Sequence, residues 1–375
     1  MTSEFQAPLR LLHTESSLGW GGQEIRILTE AAGMIKRGFQ VQLVCPPEAT
    51  LFAAAQDQGV PVTSLPIARK NLTGLLALRH HLVTTQPDVI ITHSSTDSWL
   101  TAIASLLMSH PPPMVRLRHL STPVHRNIPT HWLYRKASRL IITTGEGIRQ
   151  RLIDVNGVHP DRTLSIPTGI DLEKFSPGDQ HQARVVVGLP LSIPIIGIVA
   201  TLRDWKGHFH LLEAFAALRD QTAQLVIIGD GPEYDALTQR IIQLAIPAQR
   251  ILMTGRQENI PDWLRAMDLF VLPSWGHEGV PQALMQAMAC GLPVISTPVG
   301  GIPELIQHDI TGVLTPPKDS PALSRAMDAL LADPQRRQQL GEAALLRARH
   351  QCSMETMLNK MESALYSVTT SHKLH

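Results

Sequence analysis

Cysteine is scarce in this 375-residue chain: Cys45, Cys290 and Cys352 are widely spaced and show no metal-ligand pattern. Cys45 and Cys290 read as small apolar residues at element ends in a reducing compartment. No apolar run approaches the roughly 20 residues needed to cross a bilayer. The opening MTSEFQAPLR lacks a basic start followed by an apolar run, so no signal peptide is expected. Together these absences predict a cytoplasmic protein, at most peripheral on the inner face of a membrane. Net charge is only +1, and nothing marks the chain as a nucleic-acid binder. The dinucleotide fingerprint is missing too. After GWGG, Glu24 stands where the third glycine belongs, and after GDGP at 229–232 Tyr234 does. That argues against a nicotinamide dehydrogenase.

What is present fits a soluble chain with two cores. The length exceeds one ordinary core, and 43% of residues are apolar against 17% charged. The charge is divided unevenly. Residues 1–170 hold 16 Lys/Arg against 11 Asp/Glu, and the rest 17 against 21, so the first half is +5 and the second −4. Ordinary surface variation explains such a split; so does an anionic membrane or acidic acceptor beside the first half. Apolar runs (LRLLHT, VQLVC, DVIITH, MVRLRH, RLIITT) alternate with helical stretches, and the pattern restarts with IIGIVAT, AQLVIIGD, RILMTG, LFVLP and PVIST. Alternation at this spacing predicts parallel sheets with helices on both faces. The polar, turn-rich stretch Phe175–Ile193 is the expected hinge. The predicted domains are therefore 1–175 and 194–352, followed by a helical segment, 353–375.

Ligands of doubly wound sheets bind at the carboxyl ends of strands, so loops after strands carry the candidate chemistry. Gly19, Gly21 and Gly22 follow LRLLHT and precede a helix, where backbone N–H groups can approach an anion. An ordinary tight turn explains the same cluster. Arg203 and Lys206 follow IIGIVAT three positions apart, a fork and a mobile point charge suited to a diphosphate. Solvated surface cations are the plain alternative. Glu278 lies in the loop after LFVLP and Gln286 on the helix beyond it. Eight positions, a little over two helical turns, let both face one cleft. His119 ends MVRLRH and His93 ends DVIITH; with 17 histidines in the chain, a structural role is the default for each. Trp20, Trp205 and Trp275 read as loop packing before stacking platforms. His125–Arg139 mixes Ile128, Trp132 and Leu133 with cations, as an exposed helix or a membrane contact would.

Taken in order, GWGGQEIR, SIPTGIDLEKFSP, ATLRDWKGHFHLLEAF, LVIIGDGPE and HEGVPQALMQAMACGLPVISTPVGGIPE resemble the retaining glycosyltransferases of family four, also known as glycosyl transferases group 1. The resemblance covers nearly the whole chain. It implies the α/β GT-B fold: two facing Rossmann-like domains with a cleft between them, an acceptor domain first and a donor domain second, and a C-terminal helix crossing back to the first. It also implies site residues. Gly21 and Gly22 match the loop approaching the donor diphosphate, Arg203 and Lys206 the pair that neutralises it, and His119 a histidine contacting the transferred sugar. Glu278 opens the family's motif of two glutamates separated by seven residues, and Arg256 matches the loop near the nucleobase. Pro281 lacks an N–H, leaving Gln282 and Ala283 as backbone donors. The second motif glutamate is Gln286 here; an amide oxygen still accepts ribose hydroxyls, with less strength than a carboxylate.

The reaction implied is transfer from a nucleoside diphosphate sugar to a hydroxyl with the anomeric configuration kept. No metal or other cofactor is expected. Arg203, Lys206 and helix starts would stabilise the departing diphosphate. A UDP-sugar is the first expectation for the donor, a GDP- or ADP-sugar the second. A glycan or lipid-linked acceptor of the cell envelope, such as a lipopolysaccharide core, is expected, with peripheral contact to an anionic membrane. An epimerase or phosphorylase of the same fold, or a non-catalytic sugar-nucleotide binder, would share many of these features.

Overall fold

Strands such as Val89–Thr92 and Leu269–Leu272 have every side chain buried, the mark of strands covered on both faces. The computed structural model describes residues 7–119 and 122–370. The first six residues of MTSEFQAPLR and the last five of the 353–375 segment lie outside the described residues. Within the described chain are two units, one drawn from 1–167 and 357–375, the other from 168–356.

The first unit holds seven parallel strands: β1 (Arg10–Thr14), β2 (Gln40–Cys45), β3 (Val62–Ser64), β4 (Val89–Thr92), β5 (Met114–Arg118), β6 (Ser138–Thr143) and β7 (Thr163–Ser165). Their spatial order is β3-β2-β1-β4-β5-β6-β7. The second holds β8 (Ile195–Val199), β9 (Gln224–Ile228), β10 (Ile251–Gly255), β11 (Leu269–Leu272), β12 (Val294–Ser296) and β13 (Val313–Leu314), all parallel, in the order β10-β9-β8-β11-β12-β13. Both are doubly wound sheets, as the alternation of strands and helices predicts. In each, the chain reverses direction across the sheet after its third strand, so the switch point lies between β1 and β4 in one and between β8 and β11 in the other. Helices to either side leave a crevice at such points, and ligands of this architecture bind there.

Residues 175–193 contain a helix, Gln180–Val187, capped by Asp179 accepting the Gln182 N–H at 3.0 Å. Its buried Arg184 donates to the Ala266 and Leu191 carbonyls, both at 2.9 Å, and to Asp268 at 2.7 Å. Those bonds fasten the stretch to the second unit, and the division falls at 167/168. Residues 168–175, expected in the first domain, belong to the second unit. The closing helix, Met354–Thr370, starts in the second unit and joins the first from Met357 onward.

One buried ion pair orders the first unit. Arg26 and Glu30, a turn apart on the helix Gly22–Lys36, are both inaccessible, with Nε 3.3 Å from the carboxylate. Arg26 also donates to the Ile166 carbonyl at 2.7 Å and lies against the Met361 sulfur at 3.8 Å. It thereby joins the first helix to the chain after β7 and to the closing helix. Burial holds Glu30 above the usual carboxylate range despite Arg26. Removing one partner of such a pair strands the other charge, which costs about 3–5 kcal/mol, whereas apolar replacement of both is far milder. Arg26→Met is accordingly expected to lower unfolding free energy in urea by about 3 kcal/mol or more, with the double variant Arg26→Met/Glu30→Met recovering most of the loss. Equal losses in single and double variants would contradict this.

Candidate functional site

At the switch point of the second unit, two loops are stitched together before any ligand is considered. The loop after β8 ends in a tight 3-10 turn, Asp204–Lys206, and then Gly207 at φ +79°. A side chain at Gly207 would place its Cβ 2.0 Å from the Pro273 carbonyl oxygen, so only glycine lets this loop meet the one after β11. Trp275 completes the join: its backbone N–H donates to the Trp205 carbonyl at 2.8 Å and its indole N–H to the Asp204 carbonyl at 3.0 Å.

This junction brings Lys206 to Glu278, with Nζ 2.7 Å from Oε1. Ser274 Oγ donates to the same oxygen at 2.6 Å. Glu278 is only 4% exposed. Gly300, at φ +60°, lies so close behind that a Cβ there would sit 2.2 Å from the Glu278 carbonyl oxygen. The neighbouring His277 takes a left-handed φ of 58°, uncommon for a side chain of its size, and packs its ring edge-on to Trp205 at 5.4 Å. Backbone strain of this kind concentrates at ligand sites. Arg203 does not reach Glu278: its guanidinium lies over Trp205 at 5.4 Å. Lys318 lies over Trp275 at 3.8 Å. Trp205 and Trp275 are thus part of the loop packing.

The other second-unit candidates are spread around this centre. The helix Gln282–Ala289 follows Pro281 with no side-chain cap, which puts Gln282 and Ala283 in its first turn and half-buried Gln286 one turn on. Arg256 is exposed after β10, the strand at the far edge of the sheet, two strands from β8. Among the described residues, no three His, Cys, Asp or Glu side chains gather as a metal site.

In the first unit, Gly21 is extended and Gly22 opens the first helix without a side-chain cap. Two buried carboxyl groups stand near them, Glu15 in the preceding loop and Asp97 on the helix Ser95–Leu106. Glu15 is buried, accepts the Ser17 N–H at 2.7 Å and is bonded by the Gln23 side-chain amide. Asp97, also buried, accepts from Thr14 Oγ1 at 3.0 Å, the His93 N–H at 2.8 Å and Ser94 Oγ at 2.6 Å. Burial, and then the nearby Asp97, push Glu15 up to about 8. His119, half-buried after β5, places Nε2 3.1 Å from His93 Nδ1, and His93 Nε2 lies 3.0 Å from His13 Nδ1. Burial, with Arg26 and Arg118 adding to it, pushes His119 down to about 3; burial and Arg26 do the same to His13. All are neutral imidazoles near pH 7.

Sequence reasoning singled out Lys206, Glu278, Arg203 and His119 but passed over Ser274, Glu15, Asp97 and His13. A signal for them existed: each lies in the last residues of a switch-point strand or within five residues beyond it.

Two family models match the chain almost end to end, Glycosyltransferase Family 4 over residues 20–174 and Glycosyl transferases group 1 over 179–347. Among curated relatives, the N-acetyl-alpha-D-glucosaminyl L-malate synthase of Bacillus anthracis is 33% identical over 58% of this chain and 57% of that protein. The D-inositol 3-phosphate glycosyltransferase of Nocardia farcinica is 32% identical over 60% of this chain and 52% of that one. The matched region thus spans little more than half the length of these relatives. Among solved structures, Anabaena HepE in complex with UDP has a TM-score of 0.85 at 23% identity, over 96% of this chain and 100% of that one. The lipopolysaccharide outer core galactosyltransferase WaaB has a TM-score of 0.72 at 14% identity, over 95% and 99%. Likeness at these identities shows the fold, which is GT-B. With both family models in sequence along one chain that carries two doubly wound sheets, the protein belongs to the family-four, group 1 glycosyltransferases.

Proposed function

We propose that the protein is a retaining glycosyltransferase that moves a sugar from a nucleoside diphosphate sugar, a UDP-sugar first among the candidates, to a hydroxyl acceptor without a metal ion. The observation that carries this reading is the Lys206–Glu278 contact at the β8/β11 switch point. A buried carboxylate is positioned to accept sugar hydroxyls, and an ammonium with three donors spends one on that carboxylate and keeps others for phosphate oxygens. Arg203, three residues away, leaves its stacking on Trp205 to add a planar fork. Positive charge held in place where a diphosphate departs is the electrostatic form of catalysis. The acceptor hydroxyl attacks from the leaving-group side and the diphosphate takes its proton, which keeps the anomeric configuration. HepE, crystallised with UDP and with UDP-glucose, supports the choice of nucleotide. Arg256 is assigned to the base side, Gln282, Ala283 and Gln286 to the diphosphate and ribose, and Gly21, Gly22 and His119 to ligand contacts of the first unit.

For the acceptor, we infer a lipid-linked or glycan group of the cell envelope, reached from the cytoplasmic side. In the first unit the adjoining helices Leu72–Thr85 and Ser95–Leu106 expose Leu72, Leu76 and Leu106, with Leu107 just beyond, and Ile128 is 87% exposed in the basic His125–Arg139 stretch. Apolar side chains among cations suit an anionic lipid surface. Among the described residues no helix is long and apolar enough to span a membrane. The names of the two curated relatives favour a second reading, a small polar acceptor such as a hydroxy acid or an inositol phosphate.

Supplied with UDP-, GDP- or ADP-sugars and no added metal, the protein is expected to release nucleoside diphosphate only when an acceptor is present, from an envelope lipid extract or from the small polar set. Lys206→Gln should slow that release about 100-fold. Release that ignores the acceptor, or is untouched in Lys206→Gln, would contradict transfer at this site. A charged acceptor at the ribose position strengthens its bonds by roughly 1 kcal/mol, so Gln286→Glu should lower the donor KM about fivefold; an unchanged KM removes Gln286 from the site. In sedimentation at low salt, the protein should follow anionic vesicles and not neutral ones. Staying wholly in the supernatant with anionic vesicles would end the membrane reading.

A further inference from the structure

The histidines at the strand ends of the first unit form a chain with one direction. His13, His93 and His119 stand at or just beyond the ends of β1, β4 and β5, three neighbouring strands across the switch point. Their rings stack in sequence, with centroids 5.2 Å and 5.4 Å apart, and the two ring-to-ring hydrogen bonds are 3.0 and 3.1 Å. At the inner end, His13 Nε2 is buried with no hydrogen-bond partner among the described residues. At the outer end His119 is half-buried, and no hydrogen bond to its Nδ1 is formed among the described residues.

A neutral imidazole carries one N–H, and each ring-to-ring bond needs one donor and one acceptor. Only two arrangements satisfy both bonds. In one, every proton sits on Nε2, and the chain ends inside the protein on an N–H of His13 with nothing to receive it. In the other, every proton sits on Nδ1: His13 donates to His93, His93 donates to His119 Nε2, and the inner end is a bare lone pair. An orphaned buried N–H is the rarer and costlier ending. We propose that His13 and His93 are positioning residues that lock His119 in the tautomer with its proton on Nδ1, so that its outward nitrogen donates a hydrogen bond and never accepts one.

This inference deepens the proposed function and rests on it for the ligand's identity: a fixed donor at this place selects a sugar oxygen as its partner. Burial and the nearby Arg26 keep all three rings neutral, which preserves the one-proton count the argument needs. The role of His93 is to pass direction along the chain. Its removal leaves His119 Nε2 facing an apolar group and solvent, with either tautomer open to it.

Selective 15N labelling of histidine rings in the full-length protein without ligand tests the inference, with the His13, His93 and His119 signals assigned by single substitutions to glutamine. Ring nitrogen shifts distinguish a protonated from a bare nitrogen. The expected wild-type pattern near pH 7.5 is a protonated Nδ1 and a bare Nε2 on all three rings. In His93→Leu, the His119 shifts should move toward the average of two interconverting tautomers. A wild-type His119 with its proton on Nε2, or already averaging, overturns the proposal even if His93→Leu fails to fold. An unshifted His119 in folded His93→Leu overturns it as well. Because no sugar nucleotide is present, failure of the transfer reaction and failure of this tautomer lock are separate results.

Discussion

The contact between Lys206 Nζ and Glu278 Oε1 is the constraint on which the candidate site depends, because each of its partners comes from a different switch-point loop. Neither loop would hold its place alone. The approach of Gly207 to Pro273, the backbone bond from Trp275 to Trp205 and the seat of Gly300 behind Glu278 fix the backbone to within contact distance. With the loops so held, the ion pair forms at little further cost in chain entropy, and Ser274 supplies a second donor to the carboxylate oxygen. A buried carboxylate without such partners would be strongly disfavoured in its charged form. The same set of bonds leaves a cation with further donors at the switch point, the charge on which the proposed transfer relies as a diphosphate departs.

The first unit uses its own switch point differently. Between β1 and β4 it buries carboxyl groups and neutral histidines where the second unit has an ion pair. Glu15 is pushed up to about 8 and His119 down to about 3, both mainly through burial. Burial weighs against charge on these groups, and the edge offers hydrogen-bond donors and acceptors from carboxyl, hydroxyl and imidazole side chains. Such a surface suits hydroxyl-bearing ligands, whereas the Arg203 and Lys206 loop suits phosphate. That division follows from the chemistry of the two edges and needs no assumption about how the units are arranged.

Much of the fold was legible because buried parallel strands are short continuous apolar runs, and DVIITH, MVRLRH and LVIIGD announce themselves. What was missed had weak local signals. The helix Gln180–Val187 hides in a turn-rich stretch, and its tie to the second unit rests on one buried arginine, Arg184, which looks like a surface residue until Asp268 is known to face it. The two-residue β13 is too short for any period to show. Within the site, Lys206 and Glu278 could be singled out by type and position, but their contact spans 72 residues and is created by glycine-permitted loop packing. The histidine chain was half visible, since His93 and His119 stood out as strand-end residues. His13 looked like one polar residue in an apolar strand, and only the neighbouring order of β1, β4 and β5 joins the three.

Thermal stabilisation by UDP, without added metal, reports directly on a donor site at Lys206, because a ligand that binds only the folded state must raise its melting temperature. At 100 times the dissociation constant the stabilisation is about 2.7 kcal/mol, well within reach of a melting curve. A rise is expected for wild type, largely lost in Lys206→Gln and kept in His93→Gln. An equal rise in wild type and Lys206→Gln would place the nucleotide elsewhere, and no rise with UDP, GDP or ADP would mean that the fold persists without its donor site.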